Sequence, residues 1–227
     1  MPLTPAELAA LIDHTLLRPD AVTADYQRLC AEARQFGFHA VCVPGSRVVQ
    51  AAHWLEDSPV KVAAVVGFPH GVADADSKRF ETESVIDLGA QEIDVVLNVG
   101  RLKEGDDKYV LRELRDVVES ADGVLVKVIL ECALLTEEEK RRACSLVVES
   151  GARFVKTSTG YSSGGATVED VALLRSCVGT KVGVKASGGI RDRASALALI
   201  AAGATRLGTS SGPAIVRAEA VQTNGGY

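Results

Sequence analysis

Lys156 stands in the run Phe154-Val155-Lys156-Thr157-Ser158-Thr159-Gly160, an amine at the end of an apolar, β-branched stretch with a small-residue turn directly behind it. Desolvating a lysine there favours the neutral, nucleophilic amine, the form that condenses with a carbonyl to give an imine. The competing reading is a lysine at a strand end that reaches water or pairs with a carboxylate. Its company argues for chemistry. Lys127 and Lys185 occupy similar apolar runs, and Asp13, Asp94 and Glu131 bring carboxylates to others. If Lys156 and Lys185 come from adjacent strands, each charge disfavours the other, and Asp94 can hold Lys185 protonated while Lys156 attacks. A buried ion-pair network that merely ties strands together accounts for the same residues one by one, and Lys127 and Glu131 fit it best.

Such side chains need a scaffold that gathers distant strand ends. Thr4-Pro5-Ala6-Glu7 reads as a capping box with proline at the first helical position, so a short helix opens the chain. Strands are predicted at 11–15, 39–43, 60–66, 92–97, 124–130, 153–157, 181–186 and 205–207. Helices are predicted between and after them at 23–36, 46–55, 77–88, 109–120, 136–150, 167–177, 193–202 and 213–221, with Gly37 and Gly89 as stops and Asp74 and Asp76 as caps. Eight strand–helix units within 227 residues, without a proline-rich or low-complexity linker, point to the α/β class and a TIM (β/α)8 barrel. One domain spanning 1–227 is expected, with a flexible tail at 222–227. An open doubly wound sheet is the alternative, but no G-x-G-x-x-G follows the first strand.

In a TIM barrel the working side chains sit at the C-terminal strand ends. That rule gathers Asp13, Thr15, Cys42, Asp94, Asn98, Lys127, Glu131, Lys156 and Lys185 at one mouth. Residues two apart share a strand face, so Asp94 is grouped with Asn98, and Gly183 is expected to leave room beneath Lys185. Two glycine-rich turns, Ser187-Gly188-Gly189-Ile190-Arg191 and Gly208-Thr209-Ser210-Ser211-Gly212, follow the seventh and eighth strands. Many TIM barrels bind phosphate there, which favours a phosphorylated ligand.

Composition removes other classes. A net charge of −5 with the two signs interspersed leaves no basic stripe for nucleic acid. The start lacks a leader-like pattern and no stretch approaches a membrane-spanning length, so a soluble, cytoplasmic protein is expected. Five scattered cysteines without a Cys-x-x-Cys pair read as reduced thiols. His14, His39, His53 and His70 lack metal-ligand spacing, so neither metal nor cofactor is expected.

Several runs together resemble the 2-deoxy-D-ribose-5-phosphate aldolases, class I aldolases on a TIM barrel. They are Ile12-Asp13-His14-Thr15-Leu16-Leu17, Ala40-Val41-Cys42-Val43, Gly67-Phe68-Pro69, Glu92-Ile93-Asp94-Val95-Val96-Leu97-Asn98, Lys127-Val128-Ile129-Leu130-Glu131, the Lys156 run and Val184-Lys185-Ala186-Ser187-Gly188-Gly189-Ile190-Arg191. The resemblance implies an imine between Lys156 and acetaldehyde, Lys185 as the second lysine that tunes it, and Asp94 in proton transfer. Asp13 and Thr15 would contact sugar hydroxyls, and Gly188, Gly189, Gly208, Ser210 and Ser211 would hold the phosphate. Cys42, Lys127 and Thr157 complete the expected substrate pocket, and the terminal Tyr227 is a candidate proton relay on the tail. Pro44-Gly45-Ser46 and the loop at 161–165 depart from the expected pattern, on the acceptor side. The partners implied are a phosphorylated sugar and small aldehydes, with a homodimer as one assembly to test. A phosphosugar isomerase using a carboxylate base, and an inactive barrel that only binds phosphorylated metabolites, are the rivals.

Overall fold

A computed structural model describes residues 3–218. The chain opens with α1 (Pro5–Ala9), whose N-cap Thr4 forms the predicted capping box with Glu7. There follow β1 (Ile12–Thr15), α2 (Thr23–Phe36), β2 (Ala40–Val43), a 3-10 turn (Gly45–Arg47), α3 (Val48–Trp54), β3 (Lys61–Val66), α4 (Ala75–Asp87) and β4 (Glu92–Val96). The middle of the chain adds α5 (Val99–Lys103), α6 (Asp107–Ser120), β5 (Leu125–Ile129), a second 3-10 turn (Cys132–Leu134), α7 (Glu137–Ser150) and β6 (Phe154–Lys156). It finishes with α8 (Val168–Val178), β7 (Gly183–Ser187), α9 (Arg193–Ala201), β8 (Arg206–Thr209) and α10 (Gly212–Arg217). The strands form a closed parallel barrel in sequence order. β1 pairs with β8 through Asp13↔Gly208, which removes the open-sheet alternative.

Local chemistry sets the element ends. Gly37 and Gly151 terminate α2 and α7 in the left-handed region, at φ +68° and +86°, where a side chain would be strained. α4 starts at Ala75 instead of residue 77 because Asp74 is its N-cap, accepting from the Ser77 N–H at 3.1 Å. The helix predicted at 46–55 is split between a 3-10 turn and α3. α5 is an addition to the predicted elements; Asn98, expected at the mouth, caps it by accepting from the Arg101 N–H at 3.2 Å. α10 ends at Arg217, and the rest of the helix predicted at 213–221, the tail at 222–227 and Tyr227 lie outside the described residues. No helix among the described residues is long and apolar enough to cross a membrane.

The strands are buried on both faces, as in parallel sheets covered by helices. Outward-facing Val41, Val43, Val62, Ala64, Val66, Val95 and Val128 join the helices in the main apolar core. The inward face is different. Its apolar cluster comprises Cys42, Ala63 and Val65, packed against Leu17 and Phe68, and occupies the β2–β3 side alone. Across from it the interior is lined with buried charge, including Asp13, Glu92, Asp94, Lys127, Lys156, Lys185 and Arg206.

Candidate active site

Strand alternation turns one polar residue or two from each of β1, β4, β5, β6, β7 and β8 into the barrel. Their charges alternate and close a ring. Asp94 Oδ1 accepts from Lys127 Nζ at 2.7 Å, and Lys127 Nζ also lies 2.7 Å from Glu92 Oε2. Arg206 donates onward to Glu92 Oε2 at 3.1 Å and to Asp13 Oδ1 at 2.8 Å. Asp13 Oδ2 accepts from Lys185 Nζ at 2.5 Å, and Lys185 returns to Asp94 Oδ2 at 2.8 Å. Lys156 Nζ donates to that same Asp94 Oδ2 at 2.8 Å but is not a member of the ring.

Register orders these groups along the barrel axis. Lys127 pairs with Phe154 and Lys156 with Lys185, so Lys156, the last residue of β6, stands two residues nearer the mouth than the level of Lys127. Glu92 and Arg206 are the first residues of their strands and form the floor.

Burial alone would push the Asp94 carboxyl up, but Lys127, Lys156 and Lys185 hold it well below the usual carboxylate range. Asp13 behaves alike: Lys185, Lys127 and Arg206 outweigh its burial and lower it. The amines shift in the opposite sense. Burial would lower Lys185 and Lys127, but Asp13 and Asp94 raise the first, and Asp94 leads in raising the second. All of the ring is therefore ionised near neutrality, with Asp13, Glu92 and Asp94 balanced by Lys127, Lys185 and Arg206. Cys42 faces this cluster; burial, then the Asp94 charge, push its thiol up, so it stays protonated.

Other predicted residues take distinct places. Thr15 is buried and donates to its neighbour's carbonyl, Asp13 O, at 2.9 Å. Thr157 points away from Lys156 and commits its hydroxyl to Ser187, donating to the carbonyl and accepting from the N–H at 3.0 Å each. It ties β6 to β7. Lys127 is committed to Asp94 and Glu92. Glu131, expected at the mouth, adopts φ +57° and clamps the loop after β6 through the Thr159 N–H and hydroxyl. Gly183 does not make room for Lys185: a Cβ there would lie 2.2 Å from the Phe154 ring, which in turn sits 5.5 Å from the Arg206 guanidinium carbon. Space around Lys185 comes from Gly208, whose Cβ would lie 3.1 Å from Lys185 Cε and 2.6 Å from Ser187 Oγ.

Gly188 and Gly189 follow β7 at φ +93° and +74°, with open space above Gly189. Gly188 O accepts from Ala166 N at 3.0 Å, which seats the loop after β6 against this turn. Ser210 is exposed and Ser211 half-buried in the neighbouring turn after β8. Beside Gly188 lies Ser158, two residues beyond Lys156, with a buried hydroxyl that has no partner among the described residues. Ser158, Glu92 and Arg206 are not selected by the strand-end rule. Parity with Lys156 and Asp94 is the signal that could have found the first two.

A cavity of about 530 Å³ opens over the β1–β3 side, lined by Leu17, Arg18, Arg47, Val65, Phe68 and Tyr161. Tyr161 meets Phe68 edge-on at 5.3 Å between ring centroids, and it also lines a smaller space of about 150 Å³ beside Glu131 and Thr159. Both departures from the expected pattern, Pro44-Gly45-Ser46 and the Tyr161 loop, thus border open space.

Residues 8–218 match the DeoC/LacD family aldolase profile. Deoxyribose-phosphate aldolase of Geobacillus sp. (strain WCH70) is 56% identical over 218 residues, covering 96% of this chain and 98% of its own. The enzyme of the same name from Alkaliphilus oremlandii is 54% identical over 219 residues, covering 96% and 99%. Among solved structures, a putative deoxyribose-phosphate aldolase from Coccidioides immitis superposes with a TM-score of 0.93 at 38% identity, over 95% of this chain and 86% of that one. A tetrameric deoxyribose phosphate aldolase from Aeropyrum pernix gives 0.89 at 35% identity, over 94% and 91%.

Proposed function

The chain belongs to the DeoC/LacD family of aldolases, and on that premise we propose that it cleaves 2-deoxy-D-ribose 5-phosphate reversibly to acetaldehyde and D-glyceraldehyde 3-phosphate through an imine on Lys156. The observation that carries this reading is the position of Lys156: bound to Asp94 Oδ2, at the mouth end of β6, and outside a ring of charges already balanced. A neutral amine at that point gives up its pairing with Asp94 but leaves Asp94 paired with Lys127 and Lys185, so the nucleophile is available without stranding a buried carboxylate.

Lys156 Nζ attacks the aldehyde carbon of the open-chain sugar, and the carbinolamine loses water to a protonated imine. Asp94 Oδ2 touches both Lys156 and Lys185 and can pass protons between the amines and the departing hydroxyl. Removal of the proton from the C3 hydroxyl then breaks the C2–C3 bond; its electron pair flows into the imine, giving an enamine instead of a bare carbanion. Glyceraldehyde 3-phosphate leaves, C2 of the enamine takes a proton, and hydrolysis frees acetaldehyde and Lys156. Asp13, held by Lys185 and Arg206, and Thr15 beside it line the side where sugar hydroxyls would lie.

The turns carrying Gly188, Gly189, Gly208, Ser210 and Ser211 offer backbone and hydroxyl donors for the phosphate, with the unpaired Ser158 hydroxyl alongside. A direct test follows acetaldehyde and glyceraldehyde 3-phosphate as products from 2-deoxyribose 5-phosphate. Wild type should form both in equal amounts and Lys156→Arg, which keeps a cation but cannot form the imine, should form neither. Turnover by Lys156→Arg, or isomerisation without cleavage, contradicts the reading.

A further inference from the structure

We propose that Glu92 and Arg206, on the floor of the barrel, are positioning residues that set the charge of Lys156 by keeping the ring beneath it neutral. This rests on Lys156 being the nucleophile. Neither floor residue touches Lys156: Glu92 reaches it through Lys127 and Asp94, and Arg206 through Asp13, Lys185 and Asp94. Their strands begin at these residues, at the end opposite the mouth, so no substrate contact explains them. Burial of so many charges is costly unless they cancel. Asp13, Glu92 and Asp94 cancel Lys127, Lys185 and Arg206, and a proton on Lys156 would be the uncompensated charge.

The surroundings of the floor support this role. Phe154 lies against the Arg206 guanidinium, and the space for its ring exists because residue 183 is glycine. Glu92 also meets His39 at 3.0 Å, whose side chain is 28% exposed, and the half-exposed Lys61 at 3.7 Å, so the floor is joined to solvent on its outer side. Lys127 approaches Asp13 at 3.9 Å and braces the ring across its centre. Cys42 is the remaining titratable group facing Lys185, and as a neutral thiol it leaves the count unchanged.

Charge bookkeeping makes the sign testable. Arg206→Met leaves the ring one negative charge in excess, which a proton on Lys156 compensates. Glu92→Gln leaves it one positive charge in excess, which opposes that proton. The experiment measures the rate of borohydride-trapped adduct formation with acetaldehyde against pH, with the modified peptide identified by mass. Arg206→Met should move the midpoint of the rate profile upward by about one pH unit and slow trapping at neutral pH about tenfold. Glu92→Gln should move it downward, the double variant should return it to the wild-type position, and Arg206→Lys should leave it in place.

Cancellation in the double variant is a result that a merely structural role does not give. Shifts of the same sign in both single variants, no shift in either, or a double variant no nearer to wild type than its parents would overturn the proposal. Should Arg206→Met fail to fold, Glu92→Gln and the double variant decide it: a lowered midpoint restored by the second change supports it, and anything else overturns it. Absence of a Lys156 adduct in wild type would overturn the proposed nucleophile as well, whereas an adduct with no opposed shifts overturns the floor role alone.

Discussion

Lys156 and Lys185 face each other across adjacent strands at the same register and bind one oxygen, Asp94 Oδ2, at 2.8 Å each. Only Lys185 has a second carboxylate, Asp13. The two amines are therefore inequivalent although they share a strand level and a partner. Replacing Lys185 by leucine removes a ring cation and leaves Asp13 and Asp94 to hold a proton on Lys156. Lys185→Leu should lose turnover by on the order of a hundredfold or more while still trapping acetaldehyde on Lys156, slowly at neutral pH and faster as pH rises. Trapping at the wild-type rate at neutral pH would remove Lys185 from the role of tuner.

Ser210 is exposed in the turn after β8, away from the ionic ring. A carboxylate placed there should repel the sugar phosphate without touching the amines. Ser210→Asp is expected to raise KM for 2-deoxyribose 5-phosphate about tenfold while leaving the trapping rate with free acetaldehyde unchanged. Equal losses with both ligands would show that this turn is not a separate phosphate site.

Outside the barrel wall, Lys78 and Glu113 form a second, wholly buried ion pair at 2.7 Å, and Lys78 also donates to the Val96 carbonyl at the end of β4. Burial pushes the Glu113 carboxyl up against the opposing pull of Lys78, and burial lowers Lys78 against the pull of Glu113. A raised carboxyl contributes stability below its unfolded value that is lost as pH rises through the folded one. A lowered amine contributes it above the unfolded value and loses it as pH falls through the folded one. The ionised pair is thus a cost at neutral pH. Lys78→Met, which strands a buried carboxylate, should destabilise by about 3–5 kcal/mol, and adding Glu113→Leu should recover most of the loss. Denaturant midpoints of the two variants decide it; a double variant as unstable as the single one would show that the Val96 contact is what matters.

The ring carboxylates have the opposite sign. Asp13 and Asp94 are lowered, so their stabilisation is present above the ordinary carboxylate value and lost as pH falls through the folded one. Lys127 and Lys185 are raised, so theirs is present below the ordinary lysine value and lost as pH rises beyond it. Between about pH 5 and about pH 9 the ring's contribution should be flat. Thermal unfolding across pH checks this in proteins that carry Lys156→Met, so that no amine outside the ring titrates: adding Asp13→Asn should change Tm by an amount that stays constant in that window. A difference that titrates near neutrality would mean that the ring is not fully ionised there.

Much of this architecture was legible because a barrel writes itself twice, in the alternation of strands with helices and in the alternation of faces within each strand. Asp94, Lys127, Lys156 and Lys185 could be gathered from those two periods alone. Glu92 and Arg206 are not marked by the rule that favours C-terminal strand ends, because each is the first residue of its strand, although Glu92 shares a face with Asp94. Asn98 and Glu131 follow strands and look like mouth residues, but one caps a helix and the other turns in the left-handed region to clamp Thr159, choices made by loop geometry that no period records. The role of Gly183 is not visible within its own strand, because the size of Phe154, across the strand pair, decides it.

The central claim is that Lys156 is the amine that bonds to substrate. Wild-type protein incubated with acetaldehyde and borohydride, then digested and weighed peptide by peptide, tests it most directly. A single reduced two-carbon adduct on the peptide carrying Lys156, absent from Lys156→Arg, is the predicted result. An adduct on Lys185 or Lys127, or its persistence in Lys156→Arg, would contradict it.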